Sequence, residues 1–316
     1  MSLFKNIRKS NFLVDFLSML SSNISLFFIG ILISIIKTRV LGPEGLGFYA
    51  ILTTFSLLFV SLAELGVRQS TIYFIGKGKA NLTEVLSANV YIWLLASLIG
   101  MIIFYFTFKT NGVHVAKGLL IVSSLIIPLT IANSFIGGIM LGASKIKMSA
   151  SYNFINGLIN LGLIVLLVWV LKLGVMGAIL ALLVPTTTLI FRKYIFLKKT
   201  EDLKLDFTLN IEVIKKLIGH GLLFGIALFL MTNQKRVPIL IMTGQIDEYD
   251  IGIYNAGFAF AALLYNVYNA VSPIIFVRST KTKDPVENSL KLQKLMRVIF
   301  IILLFLSVAL YFALEF

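Results

Sequence analysis

Apolar residues in this chain neither alternate nor keep to one helical face. They come in long unbroken runs separated by short clusters of charge. Stretches free of Asp, Glu, Lys and Arg run Phe16–Ile36, Gly45–Ala63, Val85–Phe108, Gly118–Ser144, Met148–Leu171, Leu173–Phe191, Leu217–Gln234, Ile251–Val277 and Val298–Leu314. A helix needs about 20 apolar residues to cross ~30 Å of hydrocarbon. Bare backbone N–H and C=O groups do not survive in lipid, so runs of this length read as helices. The expectation is an all-α integral membrane protein with about nine transmembrane helices. A β-barrel would show ~10-residue alternating segments, and none occurs. The first run is no cleaved signal peptide: it is too long and runs into Lys37-Thr38-Arg39, with no small-residue cleavage site.

Composition agrees. Hydrophobic residues make up 58% of the chain, charged residues 13%, and mean hydropathy is +0.96. A soluble domain carries roughly 25% charged residues, so this chain lacks the polar material to cover itself in water. Cysteine is absent, which excludes a disulfide framework, a thiolate metal site and a catalytic thiol.

The net charge of +14 suggests nucleic acid until its placement is considered. With the N-terminus inside, most of the 28 basic residues fall in inner segments: Lys5, Arg8 and Lys9; Arg68, Lys77 and Lys79; Lys145 and Lys147; the run from Arg192 to Lys216; and the run from Arg278 to Arg297. The loop after the seventh run is acidic, with Asp247, Glu248 and Asp250. Cytoplasmic loops carry the excess of Lys and Arg, so the expected site is the cell (inner) membrane with a cytoplasmic N-terminus and no nucleic-acid partner. Anionic membrane lipid is a further partner for the inner charge.

The longest hydrophilic stretch, Arg192–Lys216, divides the chain. Residues 1–200 are expected to form a six-helix N-terminal lobe. Residues 201–316 would be the start of a second, incomplete lobe holding helices seven to nine, as in a truncated chain. Transporters are often built from such repeats. A shift of 205 residues lays Gly47-Phe48-Tyr49-Ala50 on Gly252-Ile253-Tyr254-Asn255, each at the start of an even-numbered run.

Catalytic chemistry is missing. Gly76-Lys77-Gly78-Lys79 lacks the spacing and the hydroxyl of a phosphate loop, and His114 and His220 form no His-Glu-x-x-His motif. The chain is expected to be no enzyme and to need no cofactor or metal; transport is the default.

The segment Lys37-Thr38-Arg39-Val40-Leu41-Gly42-Pro43-Glu44-Gly45-Leu46-Gly47-Phe48-Tyr49-Ala50 resembles the start of polysaccharide-biosynthesis flippases, the O-antigen branch of the multidrug/oligosaccharidyl-lipid/polysaccharide exporter superfamily. Glu64-Leu65-Gly66-Val67 and Leu173-Gly174-Val175-Met176-Gly177-Ala178 extend the likeness. The family has twelve to fourteen helices, more than this chain offers. The resemblance implies two lobes around a central cavity, no catalytic activity, and an undecaprenyl-pyrophosphate-linked oligosaccharide moved from the inner to the outer leaflet. It also implies a proton or sodium ion as coupling ion and glycan polymerases as partners.

Lys235 and Arg236 are the sharpest candidates for binding that substrate. In the 205-residue register they fall opposite Gly30 and Ile31, inside an apolar run. A charge at a helix centre costs about 2.5–3.5 kcal/mol, so it faces a cavity or a partner. The other reading ends helix seven at Gln234 and lets the pair snorkel to the outer surface. Lys37 and Arg39 end the first run, where arginine grips phosphate in a bidentate fork or merely anchors the interface. Arg68 follows Glu64 by four, the spacing of a structural ion pair. Asp15 is either a proton site or an interfacial residue. Asn156 and Asn160, with Asn153, share a face of run five; Asn266 and Asn269 share one with Asn255 on run eight. These amides either bond sugar hydroxyls or hold helices together.

Two alternatives compete: a cation-coupled multidrug exporter of the same superfamily, which needs carboxylates in the bundle, and a membrane glycan polymerase or ligase, which carries a large outer loop. The orientation is directly testable, because the chain has no native cysteine. Cysteine at Asp247 is expected to react with an impermeant thiol reagent on intact cells, and cysteine at Lys204 only after permeabilisation. The reverse pattern overturns the topology.

Overall fold

The computed structural model describes residues 11–110, 115–204, 206, 208–234 and 236–259, with a few helical positions between 293 and 308. Every regular element among them is a helix. Helix α1 spans Asn11–Ala63 and leaves helical geometry only at Gly42 (φ 67°, ψ 177°). The cause is Pro43, whose ring excludes helical geometry from the residue before it. Gly42 takes a positive φ at no steric cost. The expected loop between the first two apolar runs is therefore absent, and Lys37, Thr38 and Arg39 sit on helix.

A second break falls at Leu65 (φ 45°) and Gly66 (φ 70°). Helix α2 (Val67–Gly76) then continues toward Lys77. It packs along α5 (Ile126–Gly142), where a Cβ on Gly138 would lie 3.2 Å from Arg68 Cγ and one on Gly142 2.8 Å from Ile75 Cβ. Helices α3 (Leu82–Thr110) and α4 (Lys117–Ser124) flank the same core, and Trp93 Nε1 donates to Pro128 O at 2.7 Å. Helix α6 (Ile146–Leu163) lies on α1, with Gly157 against Leu26, and ends in a wide π turn over Ile164–Val170.

Helix α7 (Gly174–Thr200) runs well past the expected end at Phe191. Helix α8 (Ile211–Asn233) starts on Asn210, whose side chain accepts the Val213 N–H at 3.2 Å. It bends by 53° between its halves Ile211–Leu222 and Phe224–Asn233. It passes the Leu65–Gly66 break backbone to backbone: a Cβ on Gly221 would lie 2.6 Å from Leu65 O, and one on Gly225 3.0 Å from Leu65 C. Helix α9 (Val237–Met242) and a helical stretch α10 over 248–259 follow.

This corrects the nine-helix reading. Among the described residues, five helices are long and apolar enough to cross a membrane: Ser25–Ala63, Leu82–Lys109, Lys117–Gly142, Ile146–Val170 and Gly174–Thr200. The bent α8 pair makes a sixth if counted as one span. The first two runs form one element, and the seventh is broken by its bend. Runs eight and nine lie mostly outside the described residues. Nor does the chain separate into a six-helix lobe and the start of another, because α8 packs directly on α1, α2 and α3.

The core is a continuous cluster that includes Leu52, Val67, Ile127, Ile139, Met140 and Leu197. Outward faces are apolar too: Leu95, Ile99 and Phe106 on α3 are more than half exposed, as suits side chains that meet lipid. The protein is a multi-pass integral membrane protein.

Gly66 tolerates a side chain badly for two reasons, its backbone conformation and its contact with α8. Its left-handed backbone costs a side chain about 1–2 kcal/mol. A Cβ there would also overlap the Gly221 carbonyl oxygen, and overpacking adds typically 1–3 kcal/mol. Gly66→Ala is expected to lower the unfolding midpoint of detergent-purified protein by several degrees. Gly118→Ala, with open space around it, is expected to leave it unchanged.

Candidate functional site

A polar cavity of about 220 Å³ lies between the two stretches of α1 and the later half of α10. Ser34, Lys37 and Thr38 reach it from before the Gly42 break; Leu46, Tyr49, Ala50, Thr53 and Thr54 from after it; Asn255, Ala256, Phe258 and Ala259 from α10. Because the break is a single residue, both stretches of α1 face one space. Lys37 Nζ sits 4.2 Å from the centre of the Tyr49 ring. Such a cation over a ring gains about 0.5–2 kcal/mol, more when desolvated. Thr53 Oγ1 donates back to Tyr49 O at 2.7 Å, fixing the threonine against its own helix. No Asp or Glu is among the described lining residues, so the fixed charge of the cavity is the Lys37 ammonium.

The 205-residue register reappears here. Ala50 and Asn255, Thr53 and Phe258, and Thr54 and Ala259 are register partners, and each pair lines the cavity. Above them the two helices cross at glycines. A Cβ on Gly47 would overlap the Glu248 carbonyl oxygen, and one on Gly252 would overlap that of Pro43. Adding 205 turns Gly47 into Gly252 and Pro43 into Glu248, so the two contacts are one contact repeated.

The other candidates are distributed more widely. Arg39 is exposed beside Lys37 and does not line the cavity. Arg236 does not lie inside a helix: α8 ends at Asn233, and Arg236 precedes α9. Its Nη1 donates to Asn233 Oδ1 at 2.9 Å, and Asn233 Nδ2 donates to Ser61 Oγ on α1 at 2.7 Å. The arginine is thus tied through an amide to α1. Lys235, Asn266 and Asn269 lie outside the described residues. Asn156 and Asn160 are half-buried on α6, away from the cavity lining; Asn156 Oδ1 is buried with no hydrogen-bond partner.

Arg68 acts on Glu64 through its charge but forms no contact ion pair with it. The positive φ of Leu65 and Gly66 breaks the helix between them, and no ion pair joins them among the described residues. Glu64 instead accepts a hydrogen bond from Ser134. Lys193, read from the sequence as inner-loop charge, is 3% exposed inside the bundle, where Nζ donates to Asn133 Oδ1 at 2.9 Å. Gly137 leaves room for that ammonium.

The sequence reading missed Tyr49, Thr53, Thr54 and Phe258 as lining residues. The register that pairs Tyr49 with Tyr254 was the signal that pointed to them. A second, wholly different cavity of about 530 Å³ opens between the end of α1, α3 and α8, lined by apolar groups such as Phe59, Leu62, Leu95, Ile99 and Ile218.

Residues 12–282 match the profile of the family described as polysaccharide biosynthesis protein. The chain belongs to that family. No curated protein sequence matches. Among solved structures, the chain is similar to the MATE multidrug transporter DinF-BH, with a TM-score of 0.61 and 13% identity over 82% of this chain and 63% of that one. It is also similar to an inward-facing multidrug resistance MATE family transporter of the MOP superfamily, with a TM-score of 0.56 and 18% identity over 84% of this chain and 65% of that one. The outward-facing form gives 0.52 at 15% identity, over 84% of this chain and 68% of that one. The chain spans less than two thirds of the length of the first two transporters. At such identities these likenesses establish the fold alone, one shared with these transporters.

Proposed function

We propose that this protein carries an anionic, lipid-linked oligosaccharide from the inner to the outer leaflet, with its N-terminus in the cytoplasm. The observation that carries the reading is the cavity between register-related helices, where Lys37 supplies positive charge and no carboxylate opposes it. A sugar pyrophosphate cannot enter hydrocarbon and needs a wet, cationic passage, while its lipid tail stays in the bilayer. Two unit charges 4 Å apart attract by about 4 kcal/mol at an effective dielectric near 20, enough to offset part of a phosphate's desolvation. Tyr49, Asn255, Thr53 and Thr54 offer a ring face, an amide and hydroxyls to a sugar. Family membership supports the same substrate class.

At 220 Å³ the cavity is smaller than the ~300–1,000 Å³ of ordinary ligand pockets. An oligosaccharide therefore requires the helices around it to separate. Arg236, tethered through Asn233 to α1, and the helix face that carries Asn255 are the next groups expected along the passage. A proton or sodium ion is the expected coupling ion.

A second reading is multidrug export, and the matched folds favour it: the similar structures described above are multidrug transporters. The apolar 530 Å³ cavity suits a drug-sized molecule. A cationic drug, however, would meet Lys37 and no carboxylate in the polar cavity.

The two readings part on Lys37. Lys37→Glu is expected to reduce glycan appearance at the outer surface at least ~10-fold at matched membrane levels, a change of about 1.4 kcal/mol or more. Lys37→Arg is expected to keep most of it. Unchanged export in Lys37→Glu, or a glycan-independent gain of resistance to cationic dyes conferred by the unmodified protein, favours the multidrug reading and overturns the first.

A further inference from the structure

We propose that Gly47 and Gly252 form a steric seal over the outer mouth of the Lys37 cavity, and that this seal closes only because neither residue has a Cβ. The inference concerns how the cavity is closed, and it holds whichever substrate the cavity takes.

The geometry is specific. A Cβ on Gly47 would overlap Glu248 O and lie 3.2 Å from Glu248 Cα; one on Gly252 would overlap Pro43 O and lie 3.0 Å from Gly47 N. The obstacles are backbone atoms on both sides, which cannot rotate away as a side-chain tip can. Both glycines are buried, while Pro43 and Glu44 one turn above are exposed. Leu46, Tyr49 and Ala50 on one helix and Asn255 and Ala256 on the other line the space directly below. The crossing is therefore the lid of that space.

Symmetry strengthens the case. Gly47 meets Glu248, and Gly252 meets Pro43, so residue i meets j and the repeat of i meets the repeat of j. This is the mark of a two-fold contact between like elements. Repeats of this kind rock against one another around a fixed central site. A two-fold contact opens on both flanks at once, so the seal acts as one bistable element.

Other glycines on the same elements lack this role. A Cβ on Gly30 or Gly257 meets nothing within 4 Å, and one on Gly45 meets a side-chain atom, Leu41 Cβ, at 3.3 Å. A substitution at Gly47 or Gly252 therefore penalises the closed state selectively, and shifts the population toward the state open to the outside.

The experiment places one cysteine below the seal, Thr53→Cys, and one above it, Glu44→Cys, in the cysteine-free chain. Each is labelled on intact cells with a membrane-impermeant maleimide. The Glu44→Cys site is expected to react fast and the Thr53→Cys site slowly. Adding Gly47→Ala or Gly252→Ala is expected to raise the Thr53→Cys rate about tenfold or more, a shift of the open–closed equilibrium. Gly30→Ala is expected not to change it. Equal, fast labelling at both cysteines with the glycines intact overturns the seal even if the alanine variants fail to accumulate. An unchanged Thr53→Cys rate in alanine variants that reach the membrane overturns it as well. Neither result depends on glycan export, so failure here is distinct from failure of the substrate assignment.

Discussion

The structure depends on how closely two helix backbones can approach inside a bilayer. Lipid tails are as apolar as leucine, so burying leucine against leucine gives little net association, and small residues that let backbones touch become the means of packing. This chain uses them at two crossings between its first two apolar runs and its later part. At one, Gly221 and Gly225 of α8 meet Leu65 and Gly66; at the other, Gly47 and Gly252 meet Glu248 and Pro43. These contacts place α10 beside α1, and the polar cavity exists because they do.

Charge is managed within the same constraint. Lys37 lies over an aromatic ring, Lys193 on an asparagine, Arg236 on an asparagine that is held by a serine. In each case an uncharged group takes up the cation. The Lys145–Glu201 ion pair at 2.6 Å ties the start of α6 to the end of α7. With both partners about a quarter to a third exposed, it contributes at most ~1 kcal/mol. Cations without carboxylate partners are suited to an anionic visitor, and that is the physical content of the substrate assignment.

Much of this was legible in the sequence, and the reasons differ residue by residue. Membrane insertion and all-α character follow from run length and the scarcity of charge. The family was carried by the ordered motifs around Gly42-Pro43-Glu44-Gly45. The 205-residue register aligned Gly47 with Gly252 as repeat positions, but that the two meet at a crossing is seen only in the structure. The helix count was not legible: Gly42-Pro43 reads as a loop, yet one residue with positive φ suffices to turn the chain between two helices. Arg68 misled because the i,i+4 rule assumes an unbroken helix, and Leu65 and Gly66 break it. Lys193 misled because charge near an apolar run reads as loop, whereas α7 continues and buries it. The cavity escaped because its lining, Thr53 and Phe258 among it, consists of residue types that serve equally well as packing.

The stretch of α1 that follows Gly42 and the start of α10 lie in contact across the register axis. Helix neighbours three apart are ~5–6 Å from each other, and Gly47 touches Glu248, so cysteines replacing Glu44 and Glu248 should lie within reach of a short bifunctional thiol cross-linker. The measurement is cross-linking of that double variant in native membranes, read as loss of both free thiols within one chain. Rapid, near-complete linkage is expected. No linkage, while each cysteine alone reacts freely with a monofunctional reagent, would contradict it.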